Sequence, residues 1–437
     1  MNTSSVHAPL IFLIAGEPSG DALGANLMAS LKKETKGRAR FAGIGGPKMA
    51  AEGLESLFPM EELSVMGLFE ILPKIPRLRF LINETVSQIA TLRPDALVTI
   101  DSPGFTLRVA KKVAGLGFPL VHYVAPSVWA WKPGRAKKIA RYLNHVLALL
   151  PFEPSYMLRA GLSCTFVGHP VLESGADKGD GPAFRKRHDI PENAKLICML
   201  PGSRKGEIQR LMPVYSEALG LLKQRYPDLL AVVPCVEALA SEVMASASQW
   251  PVPALVLETP DQKYDAFAAS DAAIAASGTV TLELSMASVP TVVAYKVHPL
   301  TAWAVMKLVR VNFVSLINIL LERPAIPEYL QDRCVPGALA SGIEEFFEDE
   351  EVRATQAKAM AEGLDMIGPE GAPPSERAHR PDLGGMPPPS RKSASAFPSQ
   401  GKVRMRLDAS TRASTSPASP GKHKASAFPS QGKVRMG

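Results

Sequence analysis

The sequence predicts an α/β protein built from two parallel β-sheets that face each other across a cleft, each covered by helices on both faces. Short apolar runs alternate with segments of helical periodicity through both halves of the 437-residue chain. Loops rich in glycine or serine follow several of these runs, as they do at the carboxyl ends of buried parallel strands. A content of 46% hydrophobic and 21% charged residues is enough for a large core.

The first half opens with a strand, a glycine-rich loop and a helix. The strand is Leu10–Ala15, the loop Gly16–Asp21, and the helix Ala22–Lys33, which has an apolar face. A second glycine loop, Gly43–Pro47, follows a short strand at Phe41. The remaining predicted elements are the strands Ala96–Ile100, Leu120–Val124 and Val146–Leu150 and the helices Thr106–Leu116 and Gly134–Tyr142.

The second half repeats this alternation after a segment rich in Gly, Asp and Lys, Glu173–Asp189, which predicts a linker. Its predicted strands are Leu196–Leu200, Leu230–Val233, Ala254–Leu257, Ala272–Ala276 and Thr291–Ala294. A helix is expected over Pro213–Tyr226 with the proline in its first turn, and the chain from Tyr295 to about Ile367 is expected to be helical. We therefore expect a first domain over 1–172, a linker over 173–190, a second domain over 191–378 and a tail over 379–437.

Two Rossmann-like units of this kind bind ligands outside the carboxyl ends of their strands. The stretch Leu196–Arg210, LICMLPGSRKGEIQR, is typical of a strand, a tight loop and the start of a helix. Such a loop presents backbone N–H groups and the positive end of a helix, and Arg204 adds a rigid set of donors. This arrangement suits a phosphate or diphosphate; the alternative is a solvated arginine in an ordinary turn.

Other polar residues also follow predicted strands. Asp101 is a candidate general base, although an aspartate here is as often a helix cap. Ser277–Thr279 could bind an anion at the start of a helix, and Glu283 in that helix could accept both hydroxyls of a ribose or merely cap the helix. His122 and His169 lie beside strands and are predicted to be buried, hydrogen-bonded structural residues.

The net charge of +7 comes from the C-terminal tail. Residues after Ala378 contain eleven Lys and Arg and two Asp, so the tail carries +9 and the remaining chain −2. The folded part is therefore not basic, which argues against a nucleic-acid partner. The four cysteines are far apart, and the sequence contains no H-E-x-x-H, D-x-D or P-loop motif, so neither a metal nor a cofactor is expected.

Several apolar stretches raise the question of a membrane. Leu300–Leu321 is apolar but contains Lys307 and Arg310, so no transmembrane helix is expected. Pro73–Leu81 and Trp129–Arg141 mix apolar and basic residues, which favours an amphiphilic partner or a membrane surface. The ordinary alternative is a core face with a solvated rim.

Nine motifs follow one another along the chain: AGEPSGD (15–21), GIGGPKM (43–49), VMGLFEILP (65–73), PDALVTIDSPGF (94–105), HYVAPSVWAWKPGRAKKI (122–139), FVGHP (166–170), LPGSRKGEI (200–208), SGTVTLE (277–283) and PEYLQ (327–331). In this order, from about Leu10 to Ala378, they closely resemble the lipid-A-disaccharide synthase family. The resemblance implies a GT-B glycosyltransferase whose C-terminal half binds the UDP part of the donor and whose N-terminal half contributes the acceptor side.

The same resemblance implies the substrates and the place of the reaction. In this family UDP-2,3-diacylglucosamine donates its sugar to 2,3-diacylglucosamine 1-phosphate, giving the β-1,6-linked lipid A disaccharide 1-phosphate and UDP, with no metal implied. We therefore expect a cytoplasmic protein that binds peripherally to the cytoplasmic face of the inner membrane. The acyl-chain length and the oligomeric state, including a homodimer that exchanges segments, stay open.

The motif positions imply roles for individual residues. Asp101 is the expected base, and Glu17, Ser19 and Asp21 belong to the acceptor-side loops. The expected donor-binding residues are Arg204, Ser277, Gly278 and Thr279 for the diphosphate, Glu283 for the ribose, and Asn318, Glu328 and Gln331 as further polar groups. Ile317 departs from the family, in which many members have proline before this asparagine, so the pose of the Asn318 side chain is not fixed by the resemblance.

Two other functions stay open at this point. A UDP-sugar 2-epimerase shares the two-sheet cleft, and incubation with UDP-GlcNAc alone would distinguish it. An inactive UDP-sugar or lipid-binding protein, with a C-terminus that prevents domain closure, would bind without turnover.

The tail departs from the family. Pro374–Ala378 predicts the start of a final helix, which His379–Pro381 ends where the family continues it. Ala394–Met405 recurs identically as Ala425–Met436, and the composition, rich in Ser, Pro, Lys and Arg, predicts disorder from about His379. The two explanations are an altered reading frame and a basic membrane tether.

Overall fold

The computed structural model describes residues 8–63, 68–130, 134–297, 312–368 and 373–378, with the backbone alone over 68–74. All of these residues belong to one compact unit of the chain. The tail from residue 379, predicted to be disordered, lies outside them, as do Trp131, Lys132 and residues 300–311 of the apolar stretch Leu300–Leu321.

Six parallel strands of the described residues form the first sheet, in the order β2-β1-β3-β4-β5-β6. The strands are β1 Leu10–Ala15, β2 Arg40–Ile44, β3 Ala96–Ile100, β4 Leu120–Tyr123, β5 His145–Ala148 and β6 Ser163–Phe166. The helices are α1 Pro18–Glu34, α2 Pro47–Ala51, α3 Leu68–Leu92, α4 Thr106–Val113, α5 Gly134–Ile139 and α6 Glu153–Leu158. Phe12 and Leu13 enter core clusters on opposite faces of the sheet, so β1 must be apolar at successive positions.

The second sheet also has six parallel strands among the described residues, in the order β12-β11-β10-β7-β8-β9. The strands are β7 Leu196–Leu200, β8 Leu230–Pro234, β9 Ala254–Leu257, β10 Ala272–Ala276, β11 Thr291–Tyr295 and β12 Glu328–Leu330. The helices that accompany it are α7 Gly181–Arg187, α8 Lys205–Arg225, α9 Ala240–Ala247, α10 Lys263–Ala269, α11 Val280–Met286, α12 Leu316–Leu321, α13 Pro336–Glu348 and α14 Glu350–Ile367. The last helix, α15 Pro374–Ala378, packs against the first sheet. Of the helices in the described part of the chain, none combines the length and apolar character needed to cross a membrane.

The ten predicted strands are all present, and two more were not predicted. These are β6 and β12, which lie at the outer edges of the two sheets. Edge strands are short and only half buried, so their apolar patterns are weak. The expectation that the chain is helical from Tyr295 to Ile367 is wrong at β12.

The predicted position of Pro213 in the first turn of a helix is also wrong. α8 begins at Lys205, so Pro213 lies inside the helix. Proline has no N–H group to donate to the carbonyl of Gln209, four residues earlier, and the helix continues without this bond. The start of α8 is set instead by the loop that follows β7.

The segment predicted as a linker contains helix α7, which packs against α10. Phe184 of α7 is fully buried in one core cluster with Phe267 of α10. A Cβ at Gly179 would overlap the carbonyl oxygen of Tyr264, and one at Gly181 would meet the carbonyl oxygen of Ala268 at 2.5 Å. At these two positions glycine allows the two backbones to pack closely. Amino-acid composition alone does not distinguish such glycines from those of a flexible linker.

The two sheets are joined by backbone and side-chain contacts at their margin. The His169 N–H, after β6, donates to the carbonyl oxygen of Ile367 at the end of α14 (3.1 Å). The chain then returns to the first sheet, where Ala378 is buried and Glu376 of α15 forms an ion pair with Lys33 of α1 (2.8 Å). These contacts tie the end of the second α/β unit to the first.

His122 and His169 are both buried and hydrogen-bonded, as predicted. Nδ1 of His122 lies 2.8 Å from Thr99 Oγ1, and Nδ1 of His169 accepts from the Val171 N–H (3.2 Å). Burial lowers the pKa of His122 to about 3 and the pKa of His169 to about 4. Both side chains are therefore neutral at physiological pH.

Candidate active site

Asp101 and Ser102 form a strained turn at the carboxyl end of β3. Their φ angles of +44° and +41° lie in the left-handed region, which costs a non-glycine residue of order 1–3 kcal/mol. The hydroxyl of the buried Thr106 donates to the carbonyl oxygens of Asp101 (2.7 Å) and Ser102 (3.0 Å), and the Asp101 N–H donates to the Tyr123 carbonyl (2.9 Å). These bonds fix the backbone from which the Asp101 carboxylate extends.

Glu17, the residue before α1, lies beside this turn. Gly16 approaches the turn so closely that a Cβ there would lie 2.6 Å from Ser102 Oγ. Burial raises the pKa of Asp101. Burial and the charge of Asp101 raise the pKa of Glu17, opposed by the charge of Arg204 and a hydrogen bond with the Ser102 side chain. Two carboxyl groups with raised pKa values at the edge of a sheet form a candidate acid–base site.

Arg204, which belongs to the second sheet, lies near Glu17. It follows β7, and its charge acts on Glu17, which follows β1. The loops that follow β1 and β7 are therefore close enough for their charges to interact, which agrees with the predicted cleft between the sheets.

Ser19 and Asp21 take different positions in α1. Ser19 is exposed in the first turn. Asp21 is buried, and its carboxylate accepts the N–H groups of Gly46 (2.8 Å), Lys48 (3.0 Å) and Met49 (3.0 Å). Asp21 therefore holds the second glycine loop and the start of α2 in place.

The loop before α8 is organised by Glu207, which was not among the predicted site residues. Its Oε2 accepts the Ser203 N–H (3.2 Å), and its Oε1 accepts from Arg204 Nη1 (3.3 Å). Gly202 has a φ of +107°, and a Cβ there would overlap the Glu207 carboxylate. The sequence signal that could have identified Glu207 is its position three residues after the N-cap Arg204, from which a glutamate commonly accepts an N–H group at the start of the helix.

Arg210 and Tyr295 were also missed. Arg210 folds back along α8, where Nη1 donates to the Gly206 carbonyl (2.6 Å) and a Cβ at Gly206 would lie 3.0 Å from both Nη atoms. Tyr295, at the end of β11, has its pKa raised by burial and by Glu207, opposed by the charges of Arg204 and Arg210. A second guanidinium thus lies near the LPGSR loop.

Ser277, Gly278 and Thr279 follow β10 at the same edge. Ser277 Oγ donates to the Val314 carbonyl (2.8 Å), which fixes the first residue of the loop. A Cβ at Gly278 would meet no atom within 4 Å. Among the described residues, the N–H groups of Gly278 and Thr279 donate to no protein acceptor. The loop therefore offers two backbone donors beside open space.

Glu283, in the first turn of α11, has donors on both carboxylate oxygens. Oε2 forms an ion pair with Lys263 Nζ (2.5 Å), and Oε1 accepts from the Tyr264 hydroxyl (3.2 Å). Both partners lie at the start of α10. Their proximity to Glu283 could not be predicted from the spacing of these residues in the sequence.

Asn318, Glu328 and Gln331 make hydrogen bonds within the protein. Asn318 is fully buried and donates to the Ile326 carbonyl (2.7 Å) and to Glu328 Oε1 (2.8 Å). Glu328 also accepts the N–H groups of Val314 and Ser315, while Gln331 faces the backbone of Val297. Asn318 and Glu328 thus position the segment before α12, whose Val314 carbonyl holds Ser277. The bonds to Glu328 are from the Val314 N–H to Oε2 (3.0 Å) and from the Ser315 N–H to Oε1 (2.8 Å). Asn318 Oδ1 accepts the N–H groups of Ala325 (2.9 Å) and Ile326 (2.8 Å).

A cavity of about 530 Å³ lies at the opposite edge of the second sheet. Lys195 and Asp271, before β7 and β10, line it and form an ion pair with each other (3.8 Å). None of the residues singled out in the sequence lines this cavity, so it is separate from the candidate active site. In the described part of the chain, no three His, Cys, Asp or Glu side chains are grouped to hold a metal ion.

The order of motifs and the two-sheet architecture agree with one family. The family model described as lipid-A-disaccharide synthetase matches residues 11–369. Over 371 residues the chain is 51% identical to the lipid-A-disaccharide synthase of Rhodospirillum centenum, covering 84% of this chain and 92% of the relative. The chain belongs to the lipid-A-disaccharide synthase family. The family member from Paramagnetospirillum magneticum is 51% identical over 373 residues, covering 84% of this chain and 95% of the relative.

Solved structures agree with the GT-B fold predicted for this member of the lipid-A-disaccharide synthase family. The S. aureus MnaA–UDP co-structure has a TM-score of 0.57 at 16% identity and covers 85% of this chain and 94% of its own. The glycotransferase of kitacinnamycin has a TM-score of 0.55 at 16% identity and covers 85% of this chain and 97% of its own. At this identity the likeness establishes the fold alone.

Proposed function

We propose that the protein is an inverting glycosyltransferase that joins UDP-2,3-diacylglucosamine to 2,3-diacylglucosamine 1-phosphate. The products are lipid A disaccharide 1-phosphate and UDP. The observation that carries this proposal is that the charges of Asp101 and Arg204 both act on Glu17, so that a candidate base and a candidate diphosphate-binding cation lie near one carboxyl group. Family membership supplies the identity of the substrates.

Asp101 is the proposed base. Its carboxylate removes the proton from the acceptor 6-hydroxyl as the oxygen attacks the anomeric carbon of the donor sugar. The bond from that carbon to the β-phosphate oxygen breaks, and its electron pair leaves with UDP. The proton stays on Asp101 until it passes to solvent, and attack from the face opposite UDP inverts the anomeric centre.

The leaving diphosphate is held at the edge of the second sheet. We assign this role to the Arg204 guanidinium and the backbone N–H groups of Ser277–Thr279, which include two donors without a protein acceptor in the described residues. Such groups stabilise the negative charge that grows on the diphosphate as the bond breaks. Glu207 and Ser277 Oγ keep the two loops in place.

The ribose is assigned to Glu283, and the polar residues after α12 are assigned a supporting role. Asn318 and Glu328 support the donor side through their hydrogen bonds to the segment around Val314. Gln331 is assigned to the same edge, beside Val297. On the acceptor side, we assign Glu17 and Ser19 to the glucosamine 1-phosphate and a supporting role to Asp21, which accepts the Gly46 N–H of the second glycine loop.

The acylated substrates call for contact with a membrane surface. Phe80 is 56% exposed on α3, the Arg77 guanidinium lies over its ring at 5.2 Å, and Arg79, Lys137 and Lys138 are exposed. We propose peripheral binding to the cytoplasmic face of the inner membrane, driven by both apolar insertion and charge. Flotation with anionic liposomes is expected at low salt and should weaken at high salt; no flotation at low salt would contradict it.

The deciding experiment uses synthetic acylated donor and acceptor. Formation of the disaccharide with release of UDP in equal amounts is the expected result. Conversion of UDP-GlcNAc alone to its 2-epimer would favour the epimerase, and binding of UDP without turnover would favour a binding protein. Sedimentation of the same sample measures whether the protein is a homodimer.

A further inference from the structure

Both oxygens of the Glu283 carboxylate are already engaged by protein donors. Lys263 Nζ lies 2.5 Å from Oε2, and the Tyr264 hydroxyl donates to Oε1 over 3.2 Å. An ionised carboxylate has about four acceptor positions, two on each oxygen. One position on each oxygen is left, and the Glu283 side chain remains 15% exposed.

The two donors are held rigidly. The Lys263 ammonium lies over the rings of Tyr264 (5.5 Å) and the buried Phe267 (5.6 Å), so its long side chain is confined. Burial and the charge of Glu283 raise the pKa of Tyr264 to about 12, so its hydroxyl keeps its proton at any working pH.

The backbone beneath these donors is supported by the segment before α7. Gly179 packs against the Tyr264 carbonyl so closely that a side chain there would overlap it. The Asp180 N–H donates to Asp265 Oδ1 (2.8 Å), which ties the same segment to the first turn of α10. Lys263 and Tyr264 therefore start from a fixed helix end.

We infer that Lys263 and Tyr264 are positioning residues for the donor nucleotide. They orient the Glu283 carboxylate so that the free acceptor position on each oxygen meets one of the two ribose hydroxyls of UDP. A carboxylate that accepts one protein bond per oxygen is matched to a vicinal diol, and it cannot make both bonds to a 2′-deoxyribose. The inference rests on the proposed role of Glu283 and extends it to selectivity for ribonucleotides.

The test compares the affinities of the full chain for UDP and 2′-deoxy-UDP by calorimetry. The unsubstituted protein is expected to prefer UDP by about tenfold or more, the range for one hydrogen bond to a charged group. Lys263→Met and Tyr264→Phe are each expected to reduce this preference to about threefold or less, mainly through weaker binding of UDP. Lys263→Arg keeps the charge and is expected to restore the preference; failure of this rescue would count against positioning by charge.

Lys195→Met is the matched control. Lys195 also pairs with a carboxylate and lies over a phenylalanine ring, that of Phe347 at 5.1 Å, but at the opposite edge of the sheet. It is expected to leave the preference for UDP unchanged, and an equal loss in this control would overturn the inference.

Glu283→Ala separates the inference from the proposal beneath it. Loss of the preference in Glu283→Ala, with an intact preference in both Lys263→Met and Tyr264→Phe, would overturn the inference alone. An intact preference in Glu283→Ala would remove Glu283 from the ribose site and overturn both. Loss of the preference in all three variants is the result that the inference requires.

Discussion

Replacement of Arg204 by alanine should weaken the binding of UDP without weakening the fold. The Arg204 side chain is 59% exposed, and its contact with Glu207 is a pair three residues apart in sequence at 3.3 Å. Such pairs contribute about 0.2–0.5 kcal/mol to stability, so the unfolding free energy should change by no more than that. A hydrogen bond to a charged phosphate contributes about 1.5–3 kcal/mol, so the affinity for UDP should fall about ten- to hundredfold.

Calorimetry with UDP and with uridine distinguishes a diphosphate contact from a general disturbance of the site. Arg204→Ala should lose affinity for UDP and keep its affinity for uridine. Lys205→Ala is the control, because the neighbouring lysine is 67% exposed and faces Glu242 (3.6 Å). An unchanged affinity for UDP in Arg204→Ala, or the same loss for uridine, would refute the assignment of Arg204 to the diphosphate.

Three further predictions concern pH, the helix α8 and the tail. The kcat/KM should fall as the pH drops through the raised pKa of Asp101, because only the ionised carboxylate accepts a proton. Glu17→Gln removes an adjacent negative charge, so this acid limb of the pH profile should move to lower pH. An acid limb that stays at the same pH in Glu17→Gln would show that the charge of Glu17 does not affect the titration of Asp101. Pro213→Ala restores a backbone N–H inside α8 and should raise the unfolding free energy by about 1–3 kcal/mol, and an unchanged melting temperature would contradict this. Limited proteolysis should cleave near Arg380, and a chain ending at Ala378 should keep its activity and liposome binding; loss of flotation with retained activity in detergent would support the tether.

The sequence predicts the buried strands and their connections well, because both faces of each strand are covered. Residues such as Ile197 and Cys198 point to opposite cores, and this produces a continuous apolar run that can be recognised without a structure. The edge strands β6 and β12 lack this double burial and were missed. The helix α7 and the close backbone contacts of Gly179 and Gly181 were not predicted within the linker, because composition does not distinguish close packing from a connecting segment.

The residues of the candidate site also divide into those that the sequence predicted and those that it did not. Asp101, Arg204 and Ser277–Thr279 were predicted because each lies in the loop that follows a buried strand. Glu207 left only a weak signal in its spacing from the start of α8. Lys263, twenty residues before Glu283, left none, since it reaches the carboxylate only through the packing of α10 beside α11.

The central claim is that Asp101 is the base of a sugar transfer, and Asp101→Asn tests it most directly. Asparagine tolerates the left-handed backbone of this turn, so the substitution should keep the shape of the loop and remove only the basicity. The measurement is kcat with acylated donor and acceptor, beside the affinity for UDP on the same preparation. The account predicts a fall in kcat of about 10²-fold or more with the affinity for UDP nearly unchanged. Wild-type turnover in Asp101→Asn would contradict it and leave Asp101 as a residue that shapes the turn.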